Sequence, residues 1–232
     1  MKKKVLIIGG SSDIGIQLVK KFLLKGSYKI FLHYNSNTRA VNLFKRKCKL
    51  IKEDLSNLDY KDIQKKFSND YDIIINLIGY INGKSFEKFS LESLEKTLRT
   101  NSFIPQFIIR NSLKNMIKKK WGRVVNSSSV GVKFGGGKQN FEYSLSKHIN
   151  EFIPMHIRKL AEKNIFYNVL KIGSTNTKLH KKIPNKSLKE RTKLVPAKRM
   201  ATPNTIADYI YYLSTEKNQF ITNEVINITG GE

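Results

Sequence analysis

The sequence contains few of the residues that hold small secreted or metal-dependent folds together. It has one cysteine, Cys48, so an internal disulfide is excluded, and we expect an inert thiol beside a strand. Its four histidines show no metal-ligand spacing, so no metal site is predicted. Only five prolines occur, and no linker or repeat divides the 232 residues. These absences favour one compact domain over residues 1–232.

Long apolar runs are also missing. The longest apolar stretch, residues 71–81, is interrupted by polar residues and is too short to span a bilayer. Lysines at positions 2–4 resemble the charged start of a signal peptide, but only the four residues 5–8 follow as an apolar run. We therefore expect a cytoplasmic protein without a membrane partner.

Acidic residues are scarce: 18 stand against 43 basic ones, a net charge of +25. Such a field attracts polyanions, so a basic nucleic-acid-binding protein on the same fold is an alternative of another class. The basic residues are spread along the whole chain without a basic arm or a nucleic-acid module, which argues against that alternative. Nucleotide bias in the source genome also explains abundant lysine and asparagine.

Short apolar runs alternate with helical stretches along the chain. The strand-like runs cover residues 5–8, 29–34, 49–52, 72–76, 123–128, 166–172 and 224–228. Continuously apolar strands are typical of parallel sheets that are covered on both faces. The pattern predicts an α/β fold, a Rossmann-type doubly wound parallel sheet of about seven strands with helices on both faces.

A glycine-rich turn follows the first apolar run. It reads Gly9-Gly10-Ser11-Ser12-Asp13-Ile14-Gly15, and a helical pattern begins at Ile16. Glycine lets the backbone approach a pyrophosphate, and the helix N-terminus supplies N–H donors and a positive dipole end. This strand–turn–helix order predicts a dinucleotide site. We expect Asp13 to turn away from the phosphate and to cap the helix.

Three residues suggest proton chemistry on a carbonyl group. Tyr143 and Lys147 are four residues apart, so on a helix they would share a face. An ammonium near a phenol lowers the phenol pKa from about 10 toward working pH. Ser129 follows a predicted strand, where its hydroxyl could bind a substrate carbonyl while the tyrosine protonates it.

These motifs resemble those of the short-chain dehydrogenase/reductase family, and the likeness runs nearly end to end. The family's Thr-Gly-x-x-x-Gly-x-Gly loop matches residues 8–15, with Ile8 for the threonine and Asp13 for the middle glycine. Asn-Asn-Ala-Gly is matched by residues 76–79, and Pro-Gly before the cofactor-contacting Thr177 by residues 172–173. The C-terminal strand region is matched by Thr222 and residues 230–231.

The resemblance implies roles for individual residues. Tyr143 would be the general acid, Ser129 would polarise the carbonyl, Lys147 would hold the ribose, and Asn101 would anchor a water behind the lysine. The residues implied in cofactor binding are Gly9, Ser11, Ser12, Ile14, Gly15, Asn35, Ser36, Arg39, Asp54, Leu55, Asn76, Gly79, Tyr143, Lys147 and Thr177.

The end of the second strand bears on the choice of cofactor. An NAD enzyme of this architecture places an acidic residue there for the ribose 2′-hydroxyl, but no acid occurs between Asp13 and Glu53. Hydroxyl and amide groups at Asn35 and Ser36, with Arg39 nearby, favour the 2′-phosphate of NADP(H) over NAD(H). Alternatively, Arg39 lies on a solvated helix face.

The family resemblance implies hydride transfer between nicotinamide and a carbonyl or secondary alcohol. The overall pattern is most similar to 3-oxoacyl-carrier-protein reductases and related ketoreductases, which implies a small-molecule carbonyl substrate and a homotetramer or homodimer. An NAD(H)-dependent sugar or small-alcohol dehydrogenase is the alternative within the family. Between residues 178 and 199, nine Lys or Arg residues are opposed only by Glu190. The family has a substrate lid here, at about residues 174–200, so an anionic or carrier-linked substrate is an open hypothesis.

Overall fold

A computed structural model describes residues 2–67, 70–179 and 187–232. Seven parallel strands form one sheet in the order β3-β2-β1-β4-β5-β6-β7. The strands are β1 (Lys3–Ile8), β2 (Tyr28–Tyr34), β3 (Lys49–Lys52), β4 (Ile73–Asn76), β5 (Gly122–Ser129), β6 (Ile165–Ile172) and β7 (Val225–Ile228). The predicted doubly wound α/β sheet is confirmed, and each predicted strand lies within two residues of an observed one.

Helices fill the connections between strands. They are α1 (Asp13–Lys25), α2 (Thr38–Asn42), α3 (Tyr60–Lys66), α4 (Leu91–Leu98), α5 (Ile104–Lys119), α6 (Phe141–Ile149), α7 (Met155–Lys159), α8 (Leu188–Leu194) and α9 (Pro203–Leu213). A π-helical segment, Arg99–Phe103, joins α4 to α5. Within the described ranges, no helix is both long enough and apolar enough to cross a membrane.

The sheet is covered on both faces, because alternate side chains of each strand point to opposite sides. On one face, Leu6 and Ile74 belong to an apolar cluster that includes buried residues of α5. On the other face, Ile7 and Ile75 belong to a cluster that includes buried residues of α1 and α9. These four strand side chains are fully buried, which explains why β1 and β4 read as continuous apolar runs.

Strand order reverses between β1 and β4. The chain runs outward from β1 through β2 to β3, and then returns to place β4 on the other side of β1. In open α/β sheets, ligands bind outside the carboxyl ends of the strands at such a switch point. Gly9 follows β1 there with φ 74°, and a Cβ on it would lie 3.0 Å from the Ile78 backbone nitrogen. The two loops therefore pack as closely as glycine permits.

The start of α1 corrects one prediction. Ser12, not Asp13, is the N-cap: its hydroxyl accepts a hydrogen bond from the Gly15 backbone N–H at 3.1 Å. Asp13 is the first helical residue, and its carboxylate accepts a hydrogen bond from the backbone N–H of Lys178 at 2.7 Å. Asp13 thus joins the glycine-rich turn to the segment after β6.

His33 is hydrogen-bonded to the backbone of the same turn. It is 2% exposed; its Nδ1 accepts from the Gly9 backbone N–H at 3.1 Å, and its Nε2 lies 3.1 Å from the Glu53 carbonyl oxygen. The ring is therefore neutral with its proton on Nε2, since Nδ1 is an acceptor. Burial lowers the pKa of His33 to about 4.

Gly15 is required where α1 packs on the turn, because a Cβ there would lie 2.5 Å from the Gly10 carbonyl oxygen. We predict that Gly15→Ala lowers the free energy of unfolding by about 1–3 kcal/mol, the usual cost of overpacking. Urea denaturation measures this, with Lys20→Ala on the exposed side of α1 as the control. Equal stability of the two variants would contradict the packing argument.

The neutral His33 should make stability depend on pH. Its folded pKa of about 4 lies below its ordinary 6.5, so the unfolded chain binds more protons between these values. The free energy of unfolding should therefore fall as pH drops from 6.5 to 4, by up to about 3 kcal/mol. Urea titrations at stepwise pH should show this loss in the wild type and in exposed His156→Gln, but not in His33→Gln. Parallel curves for the wild type and His33→Gln would refute the assignment.

Candidate active site

A cavity of about 1320 Å³ opens at the switch point and extends over the carboxyl ends of the central strands. Small-molecule sites commonly have volumes of about 300–1,000 Å³, so the cavity has room for a dinucleotide together with a second ligand. Predicted residues that line it are Gly9, Ser11, Ser12, Ile14, Asn35, Ser36, Asp54, Gly79, Ser129, Tyr143, Lys147 and Thr177.

Tyr143 and Ser129 meet at one wall of the cavity. Ser129 ends β5 and Tyr143 lies in the first turn of α6, where their hydroxyl groups are hydrogen-bonded. A Cβ added to Gly79 would lie 3.9 Å from the Tyr143 phenol oxygen, so the loop after β4 closes the other side. Two hydroxyl groups of different acidity thus face the same space, an arrangement suited to binding and protonating a carbonyl oxygen.

Lys147 lies one helical turn after the tyrosine on α6 and is 2% exposed. Its Nζ donates to the carbonyl oxygens of Ile78 at 2.6 Å and Ser127 at 3.2 Å, and to the Ser127 hydroxyl at 2.9 Å. It lies 5.8 Å from the centroid of the Tyr143 ring. Burial lowers the pKa of Lys147 to about 7, so the amine can exchange a proton near neutral pH.

The expectation that the lysine lowers the tyrosine pKa is wrong for this structure. Burial raises the pKa of Tyr143 to about 12, and the hydrogen bond with Ser129 offsets only part of that shift. The lysine pKa is itself depressed, and its three donors point to other groups, so the phenol gains little from the ammonium. At neutral pH the Tyr143 phenol is therefore protonated.

Asn101 lies in the π-helical segment, fully buried. Its side chain pairs with the Tyr80 backbone, accepting from the N–H at 2.8 Å and donating to the carbonyl at 2.9 Å, and also donates to the Ser146 hydroxyl at 2.9 Å. Its own carbonyl oxygen accepts from the Asn150 side chain at 3.1 Å. Asn101 thus fixes the loop after β4 against α6 at Ser146, the residue before Lys147.

One part of the cavity wall is formed by Asp54 and the residues after β2. Desolvation raises the pKa of Asp54, but hydrogen bonds from Ser56 and Asn35 outweigh it, and the net shift is downward. The side chain of Asn37, also in the wall, donates to the Ser11 carbonyl oxygen at 3.3 Å. The Asp54 carboxylate, a hydrogen-bond acceptor, therefore lines the same cavity as the Asn35 amide and the Ser36 hydroxyl. The glycine-rich turn also lines it, and a Cβ at Gly9 would fill the space next to the loop after β4. These features fit a nicotinamide dinucleotide.

Several predicted residues lie outside the cavity walls. Asn76 is fully buried, donating to the Asn126 side chain at 2.8 Å and accepting from the Ile78 backbone N–H at 3.2 Å, so it shapes the loop. Leu55 is a core residue, 1% exposed. Arg39 lies exposed on α2. Direct contact with a ligand in the cavity is therefore not supported for these residues, nor for Gly15 and Asn101, which pack behind the wall.

The predicted lid is only partly described. Residues 180–186, including the lysines at 181, 182 and 186, lie outside the described residues. In the described part, the Arg191 guanidinium forms an ion pair with the Glu232 carboxylate and donates to the Ser174 hydroxyl at 2.8 Å. Lys193 pairs with Glu190 at 2.9 Å. Acidic partners therefore neutralise part of this segment's charge.

Sequence reasoning missed two polar residues beside Lys147. Ser127 precedes Ser129 by two positions on β5, and Asn150 follows Lys147 by three at the end of α6. Both offsets place side chains on a shared face, so the strand and helix periods could have revealed them. A third missed residue, Glu142, is buried, and its carboxylate accepts from the hydroxyls of Ser93 at 2.6 Å and Thr97 at 2.9 Å.

Comparisons with known proteins agree with this geometry. The family model described as enoyl-(acyl carrier protein) reductase matches residues 14–232. The 3-oxoacyl-[acyl-carrier-protein] reductase FabG of Aquifex aeolicus is 28% identical over 249 residues, covering 99% of this chain and 96% of its own length. FabG of Buchnera aphidicola is 27% identical over 234 residues, with 99% and 88% covered.

Among solved structures, ElxO with NADP bound is 27% identical with a TM-score of 0.82, covering 100% of this chain and 98% of its own. The match therefore extends over the sheet, the glycine-rich turn and the Tyr143–Lys147 helix alike. On the family match and this site, the chain belongs to the short-chain dehydrogenase/reductase family and is an NAD(P)-dependent oxidoreductase that acts on alcohol and keto groups.

Proposed function

We propose that this protein is an NADPH-dependent ketoreductase that reduces 3-oxoacyl thioesters or similar ketones. The observation that carries the proposal is the meeting of Ser129, Tyr143 and Lys147 at the end of the cavity opposite the nucleotide wall. The curated relatives named as 3-oxoacyl-carrier-protein reductases support this substrate class.

When bound in the cavity, NADPH would supply the hydride that reduces the carbonyl carbon. Ser129 donates a hydrogen bond to the carbonyl oxygen and fixes its position. Tyr143 transfers its proton to the same oxygen as negative charge develops there, which completes the alcohol. The high pKa of the tyrosine keeps this proton in place at neutral pH. Lys147, with a pKa of about 7, can then return a proton toward the phenol.

The remaining cavity residues hold the cofactor in this proposal. Backbone N–H groups at the start of α1 would hold the pyrophosphate, together with Ser11 and Ser12 of the glycine-rich turn. Asp54 would hold the adenine and Thr177 the nicotinamide end, since both line the cavity. Gly79 leaves room beside Tyr143. Leu55, Asn76 and Gly15 act from behind the wall by holding its backbone.

NADPH is the proposed cofactor because amide and hydroxyl groups follow β2. Asn35, Ser36 and Asn37 line the cavity, with Arg39 exposed on the next helix. No carboxylate between Asp13 and Glu53 competes for a ribose 2′-hydroxyl or repels a phosphate there. ElxO, solved with NADP bound, supports this choice.

A second candidate reaction is reduction of an enoyl thioester, because the matching family model carries that description. The site favours the ketone, since two hydroxyl groups converge where a carbonyl oxygen would accept a proton. A panel of 3-oxoacyl, enoyl, sugar and simple ketone substrates, followed at the nicotinamide absorbance, separates these reactions. Turnover of the enoyl substrate alone would overturn the ketoreductase proposal.

The proposal also covers the location of the protein, its domain organisation and its assembly. We infer a cytoplasmic protein in which residues 1–232 form one nucleotide-binding domain with a substrate lid at about 174–200. Carrier-linked substrates fit the acyl-carrier-protein reductases among the relatives, and a homodimer or homotetramer is the proposed assembly. Size-exclusion chromatography with light scattering measures the assembly directly.

Tyr143→Phe should abolish turnover while leaving NADPH affinity nearly unchanged, because the phenol acts on the substrate oxygen. The loss should exceed tenfold in kcat, more than about 1.4 kcal/mol of transition-state stabilisation. Steady-state kinetics and a fluorescence titration measure the two quantities, with exposed Tyr209→Phe as the control. A variant that keeps more than about a tenth of the rate would exclude Tyr143 as the acid.

NADPH should bind more tightly than NADH, and rising salt should narrow the gap because the difference lies in phosphate contacts. Ser36→Asp, which places a carboxylate in the cavity wall, should reduce the preference by about tenfold or more. Thr38→Asp makes the same charge change at an exposed site outside the wall and should alter the preference less. Equal NADPH and NADH affinities at low salt would contradict the assignment.

A further inference from the structure

Lys147 depends on one side chain that its own motif does not include. Two of its three acceptors are the backbone carbonyls of Ile78 and Ser127. Any residue type at those positions would provide these two acceptors. The third is the Ser127 hydroxyl, 2.9 Å from Nζ and 4% exposed. The identity of residue 127 therefore decides whether the amine has two buried acceptors or three.

Asn150 holds the same strand from the other side. Its Nδ2 donates to the Ser127 carbonyl oxygen at 3.3 Å and to the Asn101 carbonyl oxygen at 3.1 Å. The residue is fully buried, and its Oδ1 has no hydrogen-bond partner among the described residues. Burying an unpaired amide oxygen is unfavourable, so a polar side chain here is not explained by packing. Asn150 thus joins Asn101 to the backbone that holds the lysine.

The groups around the amine are almost all neutral. The ionisable group that faces Nζ is the Tyr143 phenol, from the same helix. Of the carboxylates nearby in sequence, Glu142 accepts from Ser93 and Thr97, and Glu151 accepts from Ser128 and Lys171. From β5 and the loop after β4, the amine meets a hydroxyl and backbone carbonyls. A single added acceptor therefore has a large effect on the balance between amine and ammonium.

We propose that Ser127 is a positioning residue for Lys147: its hydroxyl orients the amine toward the cavity and stabilises the ammonium, while Asn150 fixes the Ser127 backbone against Asn101. The consequence for catalysis rests on the proposed function, because it acts through the return of a proton to Tyr143. The effect on the amine itself does not rest on it, and can be measured in the protein alone.

The test is an NMR titration of protein labelled with ¹³Cε-lysine. The Lys147 resonance is assigned by its absence from the spectrum of Lys147→Arg. Ser127→Ala should lower its titration midpoint by about one pH unit, because one hydrogen bond to the charged form is lost. Ser127→Thr, which keeps the hydroxyl, should retain the wild-type midpoint. Ser128→Ala is the matched control, since that neighbouring buried hydroxyl donates to Glu151 at 2.5 Å.

An unchanged midpoint in Ser127→Ala would overturn the proposal, and so would an equal shift in Ser128→Ala. If Ser127→Ala does not fold, Ser127→Thr and Ser127→Val form an isosteric pair that differs by a hydroxyl. A lower midpoint in the valine variant supports the proposal, and equal midpoints overturn it.

The pH dependence of kcat with NADPH and a ketone gives a second reading. In Ser127→Ala, the apparent pKa of kcat that is assigned to Lys147 should shift in the same direction as the NMR midpoint. If the wild type reduces no carbonyl compound, the proposed function fails, while the NMR titration still decides the role of Ser127.

Discussion

The burial of one amine governs the arrangement of this site. Lys147 is 2% exposed, and its Nζ is held by the loop after β4 and by β5. Placing a cation in such a position costs free energy unless it is paired or neutralised. Here the amine responds in both ways, with three neutral acceptors and a pKa lowered to about 7. The result is a group that can exchange a proton near neutral pH, with its Nζ 5.8 Å from the centroid of the Tyr143 ring.

The pKa values of Tyr143 and Lys147 shift in opposite directions in the same environment. The tyrosine pKa rises to about 12 because it is buried, whereas the lysine pKa falls for the same reason. Desolvation penalises the charged form of each, so both pKa values shift toward the neutral form. At neutral pH the phenol keeps its proton, whereas Lys147, with a pKa of about 7, is present both as amine and as ammonium. In the proposed reaction, the phenol gives its proton to the substrate and the ammonium form of Lys147 returns one.

At the glycine-rich turn, the cavity depends on a different constraint, the close approach of the turn to the loop after β4 and to α1. Gly9 adopts φ 74° within 3.0 Å of the loop after β4 (measured from its ideal Cβ), and Gly15 allows α1 to touch the turn. His33 is kept neutral beneath the turn, and Asp13 joins the turn to the segment after β6. These contacts connect the two ends of the site, because Lys178 follows Thr177 directly.

Much of the fold was determined by the sequence itself. Continuous apolar runs such as residues 5–8 and 72–76 predicted buried parallel strands, and their burial on both faces is the physical reason. The glycine-rich turn and the shared helix face of Tyr143 and Lys147 depend only on local geometry, so both could be predicted from the sequence alone.

The tertiary structure decided what depends on distant neighbours. It made Ser12 rather than Asp13 the cap, because Asp13 accepts a hydrogen bond from Lys178, 165 residues away. It raised the Tyr143 pKa instead of lowering it, since burial and the direction of a hydrogen bond cannot be read from spacing. It also brought the Ser127 hydroxyl to the lysine and the Asn150 amide to the Ser127 backbone. The strand period and helix offset place each residue on the correct face, but only the packing of β5 against α6 determines which atoms meet.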